Sequence, residues 1–462
     1  MEKKIFIILT VLAYCLTATA QPRHTLNQVL DSALHNNVAI SNARHGIEAA
    51  RLTREEAHSK YFPNISATGA AFAANKGMAR MEVNPGDYIP AELAATLAQS
   101  LPAEALAALS SPLGLSMMKN GVLAGVTALQ PVYMGGQIVN ANKLARVGED
   151  VSRLQLEMTE NEVEQTAERY FWQLVSLEEK MKTIGTVEAL LAGLNKDATV
   201  AVEAGVALRN DLLQVQLRQN EIESQRIKLR NGISVVKLLL AQYCGLSDTT
   251  FTLAYDIEAV QPPYAYKQDH ASAIAATPEY RLLGKQVEAT GLQVKMARGQ
   301  NLPSVAVGAG LNYHNLLDNN RTFGMVFATV SVPISNWWWG GSQAVRRKKV
   351  EHQRAVEQMA DNAELLQIRM QNAWNGVEEA YQQFQIAQRS IEQADENLRL
   401  HRDFYHAGTT TMSNLLEAQM LYQQSMDRRI DALADYQNKI LEYKHSTGQK
   451  TRYQNTLSTI SR

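Results

Sequence analysis

The sequence predicts a mixed α and β fold, written twice along one chain, with short alternating strands and very long helices in each copy. Three observations carry this reading. Two halves of the chain align in register, four runs alternate apolar and small or polar residues, and two proline-free stretches carry helical heptads.

The duplication comes first. "GIEAARLTREEAHSKYFPNISATGA" (46–70) set above "QVEATGLQVKMARGQNLPSVAVGAG" (286–310) matches Glu48 with Glu288, Ala49 with Ala289, Leu52 with Leu292, Ala57 with Ala297 and Pro63 with Pro303, all 240 apart. Further on, "LQPVYMGGQ" faces "SVPISNWWWGG" with Pro131 opposite Pro333, an offset of 202. "EAGVALRNDLLQVQ" faces "HAGTTTMSNLLEAQ" with Gly205 opposite Gly408, an offset of 203 that Gly245 and Gly448 keep. The fall from 240 to 202 means that the first half holds 38 residues the second lacks, between Pro63 and Pro131.

Taken in order, residues 1–20 read as a signal peptide. Lys3 and Lys4 lead, an apolar stretch runs from Ile5 to about Leu16, and Ala18-Thr19-Ala20 offers small residues for cleavage. Tyr14 is too large for the residue that precedes a lipidated cysteine, so Cys15 is not read as an anchor, and Cys244 is then the sole mature cysteine, with no internal disulfide. Residues 21–245 form the first repeat: a helix, strands at about 63–72 and 121–131 with the loop 73–120 between them, and a long helical hairpin. A linker covers 246–270. The second repeat spans 271–448, with strands at about 303–313 and 323–333 and its own hairpin, before a tail at 449–462. The Ala/Leu-rich middle of the inserted loop predicts a short helix or two.

The strand reading rests on period two. In "PSVAVGAGLNY", Val305, Val307, Ala309, Leu311 and Tyr313 alternate with Ser304, Ala306, Gly308, Gly310 and Asn312. "FGMVFATVSVP" places Val326, Ala328, Val330 and Val332 on one face. Such lengths suit a tilted strand that crosses a bilayer. The helical reading rests on Ala373, Val377, Ala380, Phe384, Ala387, Ile391, Ala394 and Leu398, a seam in steps of four and three. The stretches from about 138 to 200 and 342 to 403 are each near 60 residues, roughly 90 Å of helix at 1.5 Å per residue.

Past residue 20 no apolar run is long enough for a membrane helix. Four strands cannot close a barrel alone, and an open edge cannot face lipid, so the chain must pool its strands with copies of itself. With a net charge of -1 there is no reason to propose nucleic acid as a partner.

The doubled junctions from Pro131 to Gly135-Gly136 and from Pro333 to Gly340-Gly341, the paired "AG" turns followed by "NDLLQVQ" and "SNLLEAQ", and the opening "TLNQVLDSALHNN" together resemble the TolC-like outer-membrane efflux factors. The resemblance covers essentially the whole mature chain. It implies a homotrimer with a shared 12-stranded β-barrel in the outer membrane, continued through the periplasm by an α-helical barrel. It further implies a passive exit duct of a tripartite export system, partnered by a periplasmic adaptor, an inner-membrane transporter and outer-membrane lipid.

The resemblance also implies sites. Gly205, Gly408 and Thr409 lie at turns that would meet the adaptor. Asn414 and Glu417 align with acidic residues that narrow the entrance; Asn414 departs from that pattern, which leaves Glu417 to supply the carboxylate. Tyr405, Asn210 and Asp211 align with links that hold the tips closed, while Thr410 stands where the family has an arginine. Trp337, Trp338 and Trp339, with Tyr133 as first-half counterpart, would form an aromatic girdle at the barrel's inner rim. Pro131, Gly135, Pro333, Gly340 and Gly341 would turn strand into helix there. Arg346 to Lys349 follow directly, as a solvated charge run or a contact for lipid phosphates.

No enzyme motif is present: there is no nucleophile elbow, no phosphate loop and no paired metal ligands, and neither a cofactor nor a metal is expected. His401 and His406 are five apart, not the four that stack on one helix face. The rival reading is a secreted periplasmic coiled-coil structural or adaptor protein. It explains the heptads but not the alternating strands.

Overall fold

The computed structural model describes residues 23–449 apart from 77–78, 91, 95–101, 103, 106, 108–110, 118–119, 259, 317–318 and 339. The expected signal peptide at 1–20 and residues 450–462 of the expected tail lie outside the described residues. The chain forms two units. One holds residues 52–146 and 289–352, and the other holds the described parts of 1–51, 147–288 and 353–462.

The first of these units is built on a sheet of four strands in the order β2-β5-β7-β8. They are β2 (Asn64–Ala73), β5 (Asn120–Met134), β7 (Ser304–Leu316) and β8 (Asn319–Ser331), and every pair is antiparallel. The register sorts the two faces. Ile65 pairs with Ala128, Ala67 with Val126, Val126 with Leu311, Ala128 with Ala309, and Ala309 with Val326. Directly paired residues point to the same side, so these side chains make one apolar face across all four strands. Much of it is bare: Val326 is 86% exposed, Ile65 70%, Val330 67% and Leu311 59%. The opposite face is mixed: Ser66, Thr68, Thr127, Asn312 and Thr329 share it with glycines and with Leu123, Leu129, Phe323, Met325 and Phe327. Gly308 belongs to it because the Phe327 ring from the neighbouring strand occupies the space of a Cβ.

Strands β3 (Ala79–Val83) and β4 (Leu113–Met117) pair into a separate two-stranded sheet inside the inserted segment. The sequence reading placed only loop and short helix there. The pairing was missed because neither five-residue run is long enough to show a period of its own.

The other unit is helical, and four of the helices that follow have part of their residues in the first unit. The helices α1 (Leu26–Asn36) and α2 (Val38–Ser59) open the chain, and a Thr25–Gln28 capping box starts α1. Helix α3 (Gln137–Glu203) and its hairpin partner α4 (Arg209–Cys244) belong to the first repeat. Helix α5 (Pro278–Gly299) precedes β7, and α6 (Gly340–His406) with α7 (Met412–Ser446) completes the second. Both α3 and α6 have 67 residues, or roughly 100 Å of rise. No described helix is both long and apolar enough to cross a membrane.

The heptad seam of α6 is buried at Ala373, Val377, Ala380, Phe384, Ala387 and Ala394, with Trp374, Tyr436 and Tyr443 completing that core. A second core gathers Leu30, Ile40, Phe171, Trp172, Leu240, Cys244 and Phe251. The segment between the repeats contributes to it directly, because β6 (Thr252–Ala254) pairs in parallel with β1 (Arg23–Thr25). Burial pushes the Cys244 thiol up to about 12, so it stays protonated and inert.

The same core holds an ionisable group at a cost. Glu168 is 7% exposed and accepts a 3.1 Å hydrogen bond from Trp172 Nε1. Burial raises its carboxyl to about 7, against the opposing pull of Trp172 and Lys444. A raised carboxyl contributes full stability below its unfolded value near 4.5 and loses it as pH rises through about 7. Glu168→Gln, which keeps an acceptor for Trp172, is therefore expected to stabilise the fold at pH 8, by up to ~3 kcal/mol. The gain should fade between pH 7 and 4.5 in denaturant titrations; an unchanged difference across that range would refute the assignment.

Candidate functional site

The two hairpin turns are built alike. Gly205 has φ 74° and Gly408 φ 72°, the left-handed region that glycine enters without penalty. At the first turn Gly205 N donates to Val202 O (3.0 Å) and Val206 N to Ala201 O (2.9 Å). At the second, Gly408 N donates to Tyr405 O (3.0 Å) and Thr409 N to Phe404 O (2.9 Å). This is the Schellman arrangement, which satisfies carbonyls left over at a helix end. Nothing lies within 4 Å of a Cβ built on either glycine, so only the backbone conformation requires them.

Chemically the turns differ. The first presents Val206 (80% exposed) and Leu208 (71%). The second presents threonines: Thr409 Oγ1 donates to Phe404 O, and Thr411 caps α7 by accepting from Asn414 N. Sequence reading overlooked the apolar pair, although "AGVAL" shows it. Beneath both turns Leu191, Leu194, Ala198, Val215, Met412 and Leu415 form a shared core, so the two hairpins are packed together.

Of the expected entrance residues, Asn414 lies in the first turn of α7, where its Nδ2 donates to Thr410 Oγ1 at 3.1 Å. Glu417 is exposed, one helical turn further along α7. Of the expected latch, Asn210 is exposed and Asp211 half-buried in the first turn of α4. Tyr405 is partly buried against the shared core, and no hydrogen bond joins it to Asp211 among the described residues. Their proximity still registers: burial first, then the Asp211 and Asp197 carboxylates, hold the Tyr405 phenol above its ordinary range.

A direct polar tie between the hairpins was not foreseen. Arg218 on α4 donates from Nε to Gln419 Oε1 (3.0 Å) and from Nη2 to Gln423 Oε1 (2.9 Å) on α7, and Gln423 Nε2 continues to Gln225 Oε1 (2.8 Å). Gln419 is fully buried. Its signal was weak because glutamine and arginine on a helix ordinarily read as solvated.

At the strand–helix junctions the expected residues occupy different settings. Gly135 (φ 60°) and Gly136 (φ 76°) do turn the chain, and a Cβ on Gly135 would collide with the Gly299 backbone. Gly340 and Gly341 are the first two residues of α6 and are not among the positive-φ glycines, and a short helix at Ile334–Trp338 follows Pro333. Gly341 is needed for closeness instead, since a Cβ there would meet Asn301 Oδ1 and Asn336 O. Pro131 lies inside β5 rather than at its end. The last β2 pair is Asn64 with Leu129, so Pro131 has lost that neighbour, and a bulge follows between Pro131 and Tyr133.

Tyr133 is 46% exposed opposite Val305. Trp339 lies outside the described residues, as do the side chains of Trp337 and Trp338. Two further rim aromatics escaped the sequence reading, Tyr61 (40% exposed) and Phe62 (60%), next to Pro63 at the start of β2.

Comparison with known proteins agrees with this geometry. Residues 272–449 match the family model for outer membrane efflux protein. The fold is similar to the Campylobacter jejuni CmeC outer membrane channel, at TM-score 0.71 and 15% identity over 95% of this chain and 89% of that one. It is also similar to CusC (0.74, 12%, 93% of each chain) and to the open state of the Neisseria gonorrhoeae MtrE outer membrane channel (0.67, 14%, 92% and 91%). No curated protein matches the sequence. A secreted coiled-coil protein would have no use for a sheet with one bare apolar face, and that reading is set aside. The family match thus covers the second repeat, and the similarity of fold to outer-membrane channels covers both.

Proposed function

We propose that three copies of the chain join β8 of one to β2 of the next, giving a 12-stranded barrel that is the passive exit duct of a tripartite export system. The observation that carries this reading is the four-stranded sheet with an apolar face and two open edges. In lipid an unpaired edge is costly, since each bare N–H or C=O has no water to bond. The strands alternate in direction, so β8 meets β2 antiparallel and any number of copies closes without a parallel pair. The family resemblance selects three.

In this reading the inserted segment between β2 and β5 lies at the extracellular mouth, and Tyr133, Tyr61 and Phe62 support an aromatic girdle to which Trp337–Trp339 would add. The Gly205 and Gly408 turns, with Thr409 and the apolar Val206 and Leu208, form the surface for a periplasmic adaptor that recruits an inner-membrane transporter. Glu417 supplies one carboxylate per chain to the entrance. Tyr405, Asn210, Asp211 and Arg218 hold the hairpins together at rest.

Native mass spectrometry of the protein extracted from outer membranes is expected to show three chains; a stable monomer would overturn the proposal. In planar bilayers Glu417→Gln should lower cation preference and weaken block by divalent cations, because a ring of carboxylates favours cations. Unchanged selectivity would remove Glu417 from the entrance. Tyr405→Phe combined with Asp211→Ala should raise single-channel conductance about two-fold or more in a correctly assembled trimer, and Arg218→Ala should do the same if the hairpins part along α4 and α7. Conductance that stays at the wild-type value in both would show that these residues only stabilise the helix ends.

A further inference from the structure

A groove of about 480 Å³ lies between α2 and the start of α3, with Arg54 and His58 on one wall and Lys143 and Arg146 on the other. Arg54 and His58 are four apart and Lys143 and Arg146 three apart, so each pair shares one side of its helix. The floor is fixed: Asn142 Nδ2 donates to Ala57 O (2.8 Å) across the groove and to Ile138 O (2.9 Å) within α3. Glu55 is the acid in the lining. Lys143 and Arg146 are exposed and make no ion pair among the described residues.

The groove opens beside the membrane strands. Tyr61 lines it, and His58 packs edge-on against Tyr61 and tilted against Phe62, with ring centres at 5.5 and 5.8 Å. Asn64, the first residue of β2, follows two residues after Phe62. From Arg54 to the end of α2 at Ser59 the helix rises roughly 7.5 Å. The headgroup layer on each side of a bilayer is roughly 5–8 Å deep, so bare apolar strands, then aromatics, then converging cations reproduce the order of hydrocarbon, interface and phosphate.

We propose that this groove binds the phosphate headgroup of an anionic phospholipid of the inner leaflet, one per chain, and so fixes the depth of the barrel in the membrane. The proposal rests on the membrane reading above. Lys143 and Arg146 point charge into one concave site that Arg54 and His58 also line, and a phosphate there would accept charge-assisted hydrogen bonds from Lys143 and Arg146. The acyl chains would then lie along the apolar face of β2 and β5.

The test uses the full chain, extracted in mild detergent and examined by native mass spectrometry with phosphatidylglycerol, phosphatidylcholine or inorganic phosphate added. Wild-type trimers are expected to retain phosphatidylglycerol, up to one per chain, and to lose phosphatidylcholine at lower collision energy. Lys143→Gln with Arg146→Gln should cut phosphatidylglycerol retention about ten-fold, whereas Lys196→Gln with Arg402→Gln, an equal loss of charge near the helical turns, should not. Equal retention by the two double variants overturns the groove as the site. Displacement of the lipid by millimolar inorganic phosphate overturns the lipid as the occupant. The trimer seen in the same spectra reports separately on assembly, so wild-type trimers that stay intact but retain no phosphatidylglycerol count against the groove and not against the duct.

Discussion

Two rows of backbone donors and acceptors, along β2 and β8, have no partner strand among the described residues, and the sheet they border is apolar on one side. In water such edges invite aggregation, and in hydrocarbon they cannot be left bare. This constraint organises what lies around it. It requires an even, alternating set of strands, which the order β2-β5-β7-β8 supplies. Side chains such as Leu217, Leu238, Leu365 and Ile368 likewise remain more than half exposed on helices whose other sides are well packed. A chain that closes its sheet around copies of itself covers helix faces at the same time.

The duplication is visible in contacts as well as in sequence. Each repeat ends on a glycine with φ 66°, Gly245 in the first and Gly448 in the second. A Cβ on Gly245 would run into Asn36, at the end of α1, and one on Gly448 would run into Ala276, at the counterpart position 240 residues later. Each hairpin thus returns to the segment that opened its own repeat. In the first copy Asn36 and Asn37 strengthen this closure with hydrogen bonds to Cys244 O and Tyr243 O, both 3.1 Å. In the second, α1 has shrunk to a helix at His270–Ala273 and a following turn, yet the glycine contact persists.

Features that repeat along the chain were legible from residues alone. The heptad seam from Ala373 to Ala394 is buried except at the half-buried Ile391, and the alternation from Val305 to Tyr313 sorts the two faces of β7, because both patterns follow from one side of one element. What could not be read depended on a second element. Nothing in "WWWGG" reveals that Gly341 must leave room for Asn301, since that depends on where another segment sits. Arg218 gains meaning only when Gln419 and Gln423 are brought opposite it by the packing of α4 on α7. The tips show the same division: Gly205 and Gly408 were legible from their own conformational demand, whereas the positions of Tyr405 and Asp211 depend on how two hairpins meet.

The Phe327 ring above Gly308 has a consequence for how the sheet is assembled. Strands β7 and β8 are joined through two residues, so their pairing closes the shortest loop in the sheet, while β2 and β5 must find each other across the inserted segment. A slip of one residue between β7 and β8 would move the valines to the opposite side and place the ring over a residue that has a Cβ. The aromatic plug therefore acts as a checkpoint that a short hairpin can pass on its own, giving the remaining strands a correctly phased template.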